Sequence, residues 1–309
     1  MRILIYGAGV QGSVYGCFLT RAGHDVSFIA RGSRAAQLRE GGLVLRGALG
    51  DRNMSVPRPI VVDRLEPEDR FDMCLVTVRR DQIDAIVPEL AASAVPLIAF
   101  MHNHADGSES LARRIGPKRT VIAFPGAGGA IAADGVVRYA LTAEQPTMIG
   151  LLPALEMSRA FRDVLRQAGL KVTLVRDPDA WLRRHAVIVG ALTGALWLCG
   201  CDSAALVRSH DGIPDLIRAV REGFRALDAV HVAPAPIALQ AIFSWVPLRF
   251  SIAYWRRYIA GQRGELLFAA HARHAAGEMA QIAGEVREVM RDSGIATPVF
   301  DRLRKAIPA

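Results

Sequence analysis

Three sets of residues have types and spacing that could do chemistry. Directly after a short apolar run, Ile3-Leu4-Ile5-Tyr6, comes Gly7-Ala8-Gly9-Val10-Gln11-Gly12. This is the G-x-G-x-x-G pattern that holds a dinucleotide pyrophosphate when a strand precedes it and a helix follows. Each glycine has its own reason: Gly7 for the tight turn, Gly9 for close approach of backbone to phosphate, Gly12 for close helix–strand packing. The helix that opens at Val10 and Gln11 would turn its free N–H groups toward the anion. The second set is His271, His274 and Glu278, spaced i, i+3, i+7 on one helical face. His274 and Glu278 could pair on a metal, but no third ligand is in view, so a polar face is expected and no metal. The third set, Cys17, Cys74, Cys199 and Cys201, makes neither a zinc pattern nor a disulfide framework. Its one close pair, Cys199-Gly200-Cys201, reads as buried thiols.

The type of dinucleotide follows from the next strand. NAD binders place a carboxylate at its end for the ribose hydroxyls. Here Asp25-Val26-Ser27-Phe28-Ile29-Ala30 is followed by Arg31, Ser33 and Arg34. Two guanidinium groups and a hydroxyl suit a 2′-phosphate, so the expected cofactor is NADP(H).

The elements that must position these residues can be read from hydrophobic period. Short apolar runs at 3–6, 26–29, 73–77, 96–100 and 120–124 alternate with helical spacing at 11–22, 81–91 and 107–114. That alternation predicts a mostly parallel sheet with helices on both faces. Residues 42–62 predict a hairpin insertion, with Gly47, Gly50 and Asn53 between two β-like runs. Further strands are expected at 136–139 and 147–149, then a helix and a strand ending near Val175. Beyond Asp177-Pro178-Asp179 the pattern is helical throughout, with Asp179 as the expected N-cap. The last long helix is expected from about Gly264 to Arg291, stopping at Ser293-Gly294. The fold class is therefore an α/β Rossmann domain over 1–177, followed by an all-helical C-terminal domain over 178–309.

Composition narrows the partners. The net charge is +8, and with only Lys118, Lys171 and Lys305 as lysines nearly all of the positive charge is arginine. Those arginines are scattered and lack an aromatic basic motif, which argues against nucleic acid. The most apolar helix, about 186–198, is too short to span a bilayer. No cleavable leader is visible, so a cytoplasmic protein without membrane attachment is expected. The apolar stretch 243–255 suits a homodimer interface or a core equally.

At this point the sequence resembles the ketopantoate reductase (2-dehydropantoate 2-reductase) family. The resemblance rests on the N-terminal motif, Ala30-Arg31-Gly32, Gly41-Gly42-Leu43, Val76-Thr77-Val78-Arg79, His102-Asn103, Asp134-Gly135-Val136-Val137, Trp181 and Gly294-Ile295-Ala296-Thr297-Pro298. It implies a Rossmann domain followed by a helical domain, with hydride transfer in the cleft between them. It also implies that Arg79 stands for a lysine near the NADP phosphate. Asn103 would lie near nicotinamide and substrate, Ala130 against the cofactor, and Glu278 at the position of the family's C-terminal glutamate.

The departures concern the substrate half. Arg183 occupies the place of the family's catalytic lysine, Val187 and Ala191 replace asparagines, and Leu266 replaces a serine. Arginine stabilises an oxyanion but is a poor proton donor because its pKa exceeds about 12. His185 and Glu278 are then the candidate proton sources, and Arg184 rivals Arg183 for the central place. The expected activity is NADPH-dependent reduction of a small carbonyl compound. This would be a 2-oxo acid of the ketopantoate type, which would give it a place in pantothenate biosynthesis, or a less polar ketone or imine. The alternative is an NADP(H)-binding protein with little turnover, acting as a sensor or assembly partner.

Overall fold

In the computed structural model, residues 1–142, 144–234 and 240–308 are described. The chain divides into two compact units: residues 1–102 with 108–178, and residues 103–107 with 179–309.

The first unit is built on a parallel sheet because its strands are apolar on both faces, as buried parallel strands must be. β1 (Arg2–Tyr6), β6 (Met73–Val76), β7 (Ile98–Met101) and β8 (Thr120–Phe124) are almost wholly buried. With β2 (Asp25–Ile29), β5 (Ile60–Val62), β11 (Thr147–Gly150) and β12 (Val172–Val175) they form eight strands in the order β12-β11-β8-β7-β6-β1-β2-β5. Only the β11–β8 pairing is antiparallel. Strand order reverses beside β1, which places the topological switch point at the carboxyl ends of β1 and β6.

A second sheet, β4-β3-β10-β9, is formed by β3 (Leu43–Gly47), β4 (Met54–Val56), β9 (Ala127–Ile131) and β10 (Val137–Leu141). The expected hairpin over 42–62 is present as β3 and β4. The same stretch also contains β5, which leaves the hairpin to pair in parallel with β2. Both tasks fit within 42–62 because each strand is only three to five residues long.

Helix α1 (Val10–Arg21) packs against both sheets. Gly16 presses on the large sheet, where a Cβ would stand 2.3 Å from Phe28. On the other side Phe18 meets Tyr139 edge-on at 6.3 Å. The remaining helices of this unit are α2 (Gly32–Gly41), α3 (Ile83–Ala92), α4 (Glu109–Ile115) and α5 (Leu155–Gln167). Arg119 secures the ends of two of them: its guanidinium donates to the carbonyls of Leu90, Ala91, Ser93, Val95 and Ile115. One planar group thus satisfies acceptors that a helix C-terminus leaves open.

Among its described residues the second unit contains helices and turns and no strand. α6 (Pro178–Leu198) is apolar nearly all round, with Leu182, Ala186, Val187 and Ala191 fully buried, as befits a central helix. α7 (Ser203–Arg208) and α8 (Gly212–Ala229) follow. Gly223 lets α8 approach closely, since a Cβ there would stand 2.4 Å from Val187. A π turn (Ala241–Trp245) and helices Leu248–Ile259 and Pro298–Lys305 complete the frame.

Two details differ from the sequence expectation. Asp179 lies inside the first turn of α6, not at its cap, because Pro178 is already helical; proline suits a first helical position, where its missing N–H costs nothing. The long C-terminal helix is interrupted. A π turn (Glu265–Ala269) leads into Ala270–His274, and Ala275, at φ −129° and ψ 34°, separates that piece from Ala276–Val289. The break resets the helical phase, so His271 and His274 do not share a continuous face with Glu278. Among the described residues no helix is long and apolar enough to cross a membrane.

Candidate active site

The glycine loop lies at the switch point. Gly7 takes φ +104°, and a Cβ on it would stand 2.8 Å from Val78 Cγ1. Gly12 is the tightest of the three: its Cβ would stand 1.9 Å from the Gly7 carbonyl oxygen and 2.8 Å from Ile5. At Gly9 a Cβ would meet nothing within 4 Å. The open side of the loop is therefore at Gly9, where backbone approach by a ligand is wanted, and the crowded side faces the sheet. Thr77 Oγ1 donates to the Gly7 carbonyl at 2.6 Å and fixes the turn against β6. Helix α1 starts at Val10, with Gly9 in the N-cap position, no side-chain cap and no acidic residue in its first turn. Its partial positive end thus meets no protein carboxylate locally, as an anion site requires.

The other cofactor candidates separate by what they touch. Arg31 and Ser33 are exposed at the start of α2, which also lacks an acidic first turn. Arg34 is half-buried and committed to the protein: Nε donates to Ala8 O at 2.9 Å, Nη1 to Gly135 O at 2.8 Å and Nη2 to Ser13 Oγ at 2.9 Å. It braces the back of the glycine loop, which leaves Arg31 and Ser33 as the groups presented to solvent. Gln11 donates to Ala127 O at 2.7 Å and ties α1 to β9. Arg79 is exposed and pairs with Asp81 at 3.3 Å. Ala130 lies in β9 opposite Arg138, partly exposed.

The second unit holds a different kind of cluster. The chain leaves β7 at Met101, and the next few residues pack on the first two turns of α6. Asn103 Nδ2 lies 3.3 Å from His185 Nδ1. His104 Nε2 lies 3.5 Å from an Asp179 carboxylate oxygen. The Ala105 carbonyl accepts from Arg183 Nε at 3.1 Å, and the Ala105 N–H donates to Glu285 at 3.0 Å. Arg183 and His185, two apart on a helix, are expected to point to different faces. Both nevertheless reach this segment, because it runs along α6 and meets them at different residues.

The electrostatics follow from burial. His185 is stacked on Trp181, rings 4.9 Å apart and nearly parallel. Burial pushes its pKa down to about 3, so the ring is neutral at physiological pH. With Nδ1 accepting from the Asn103 amide, its proton resides on Nε2. Asn103 is itself buried, and its Oδ1 has no hydrogen-bond partner among the described residues. A buried amide oxygen left this way is costly unless a ligand supplies a donor.

Several candidates have other work. Arg184 is almost fully buried; it donates to Phe224 O, Val232 O and Ala233 O and pairs with Asp228. It closes the C-terminus of α8, and of the two arginines Arg183 is the one that bonds the 103–107 segment. Val187 and Ala191 belong to the helical core, and Leu266 is buried in the π turn. Glu278 is buried in the first turn of the helix Ala276–Val289. Glu285, which sequence reasoning missed, lies seven residues on along the same face. That i, i+7 repeat of glutamates was the available signal.

Comparison with known proteins agrees with this architecture. The family model for ketopantoate reductase PanE/ApbA matches residues 3–154. A 2-dehydropantoate 2-reductase of Archaeoglobus fulgidus is 29% identical over 211 residues, 67% of each chain. One from Pyrococcus abyssi is 25% identical over 238 residues, 73% of each. Among solved structures, a 2-dehydropantoate 2-reductase from Geobacter metallireducens GS-15 superposes with TM-score 0.78 at 18% identity, covering 99% of both chains. The ternary structure of D-mandelate dehydrogenase with NADH and anilino(oxo)acetate gives 0.77 at 18%, covering 99% of this chain and 97% of that one. The strand order, the glycine loop at its switch point and these matches lead to one conclusion: residues 3–154 match the ketopantoate reductase PanE/ApbA family, and the fold of the chain is that of its solved members.

Proposed function

We propose that this protein is an NADPH-dependent reductase of a small carbonyl compound, a 2-oxo acid of the ketopantoate type or a less polar ketone or imine. The observation that carries the reading is the end of β2. A glycine loop open at Gly9 is followed there by exposed Arg31 and Ser33, with no carboxylate for a ribose diol. The loop fits a dinucleotide: it leaves space at the one glycine where phosphate must approach and a helix N-terminus without protein acid. Gly7, Gly9, Val10, Gln11 and Gly12 would hold the pyrophosphate, Arg31 and Ser33 the 2′-phosphate, and Arg79 and Ala130 further parts of the cofactor. When bound, NADPH supplies the hydride.

The chain's own residues handle binding and charge. Asn103 Oδ1 accepts a donor from the ligand, while its amide holds His185 in the Nε2–H form. Arg183 fixes Ala105 and brings positive charge beside the segment, where an alkoxide would form. Because His185 stays neutral and arginine keeps its proton, neither is an ordinary general acid. That leaves Glu278 as the residue proposed to handle the proton.

The test is NADPH oxidation by purified protein against a panel of 2-oxo acids that includes ketopantoate, with NADH in parallel. Turnover of at least one compound with NADPH preferred is expected. Tight NADPH binding without any turnover would replace the reductase by a cofactor-binding sensor.

A further inference from the structure

On the helical unit, away from the 103–107 segment in sequence, a cavity of about 460 Å³ is lined by Arg218, Arg221, Glu222, Arg225 and Ser244. Its size lies in the range of small-molecule sites. The three arginines are spaced i, i+3, i+7 on α8, so they project from one face of that helix.

The charge in this cavity is not balanced by its own walls. Arg218 pairs with Asp215 at 3.1 Å, but Asp215 also serves Arg302. Glu222 is committed elsewhere: its Oε2 accepts from Val299 N at 2.9 Å and Phe300 N at 3.0 Å, capping the helix Pro298–Lys305. Arg221 donates to Phe243 O and Val246 O, both uncharged acceptors. Its pKa is lowered by burial and by the neighbouring charge of Arg225. Arg225 is exposed and forms no ion pair among the described residues. Two guanidinium groups close enough to repel, one of them pinned in place by backbone carbonyls, make a preorganised receptor for negative charge. The Ser244 hydroxyl, which accepts from Gln240 at 3.3 Å, can donate to the same ligand.

We infer that the α8 cavity is a second ligand site, which binds a compact multivalent anion through Arg218, Arg221 and Arg225. Phosphoryl and polycarboxylate groups share the required chemistry, pairs of anionic oxygens that guanidinium forks engage with two parallel N–H bonds. The site lies on residues that the proposed reductase reaction does not use, so an anion held there would act as an effector and not as substrate.

Calorimetric titration with inorganic pyrophosphate and, separately, citrate tests this. At least one is expected to bind saturably at low salt. Arg225→Gln and Arg218→Gln, both at exposed positions, are each expected to weaken that binding about tenfold, the loss of one charge-assisted contact. Which probe binds identifies the source chemistry. Pyrophosphate could also find the glycine loop, so Gly9→Asp serves as the control: its carboxylate repels an anion there, and binding at α8 should survive it. Circular dichroism melts of all variants separate lost binding from lost fold. Absence of binding by both probes, binding indifferent to both arginine substitutions, or binding lost in Gly9→Asp would each overturn the proposal.

Discussion

The glycine loop of the first unit and the 103–107 segment of the second are built on opposite plans. The loop is made by backbone: what matters is where side chains are missing, crowded at Gly12 and open at Gly9. The segment is made by side chains that meet from distant parts of the sequence, with Asn103, His104 and Ala105 held by residues 185, 179 and 183. A backbone site tolerates change in everything except its glycines, whereas a side-chain site can be rewritten one residue at a time.

The contrast is sharpest between two glycines of the loop. Gly12→Ala is expected to cost about 3 kcal/mol of stability and abolish NADPH binding, since its Cβ collides with backbone. Gly9→Ala should melt close to the parent while its NADPH affinity falls about tenfold. Melting curves and fluorescence titration measure both, and equal loss of stability would dissolve the distinction.

In the side-chain site, Asn103→Ala should lower kcat/KM for the best substrate about a hundredfold with the fold intact. An unchanged value would remove Asn103 from the reaction. Arg183→Ala gives up the charged donor to Ala105 O and should cost about 2 kcal/mol of stability together with activity, as read by urea melts.

His185 gives a pH signature. Its folded pKa lies below the ordinary 6.5 because burial disfavours the charged ring. Below pH 6.5 the unfolded chain takes up a proton that the folded chain refuses until about pH 3. Stability is therefore full above 6.5 and falls as pH drops, by about 1.4 kcal/mol per pH unit. His185→Gln should flatten that slope in denaturant titrations between pH 4 and 7, and a slope that persists would place its cause elsewhere. Smallest of all, Arg31→Ala should weaken NADPH about tenfold and leave NADH nearly unchanged, narrowing the preference between them.

The same contrast explains what could be read before the structure. β1, β2, β6, β7 and β8 were legible because buried parallel strands are continuous apolar runs, and the glycine loop because each glycine answers a local steric demand. Phase was not legible across Ala275, where nothing in the residue types marks the break. Nor could sequence tell that Arg34 turns inward while Arg31 stays outside, since both are arginines three apart and only the carbonyls of Ala8 and Gly135 decide it. Asn103 and Arg183 were recognised by resemblance, and His185 as a titratable group two residues past Arg183. Their mutual contacts, and the grip of Glu285 on Ala105, depend on packing across about 80 to 180 residues and have no local signature.

Arg119, with its five carbonyl acceptors, bears on the chain's preference for arginine over lysine. Guanidinium is the most basic side-chain group, and its planar fork can reach several carbonyls at once, as Arg119 does with five and Arg184 with three; an ammonium has only three donors and no such fork. The +8 charge is then partly a by-product of internal joinery. Replacing Arg119 by lysine would leave at least two of its five carbonyls without a charged donor, so arginine here is a choice of geometry.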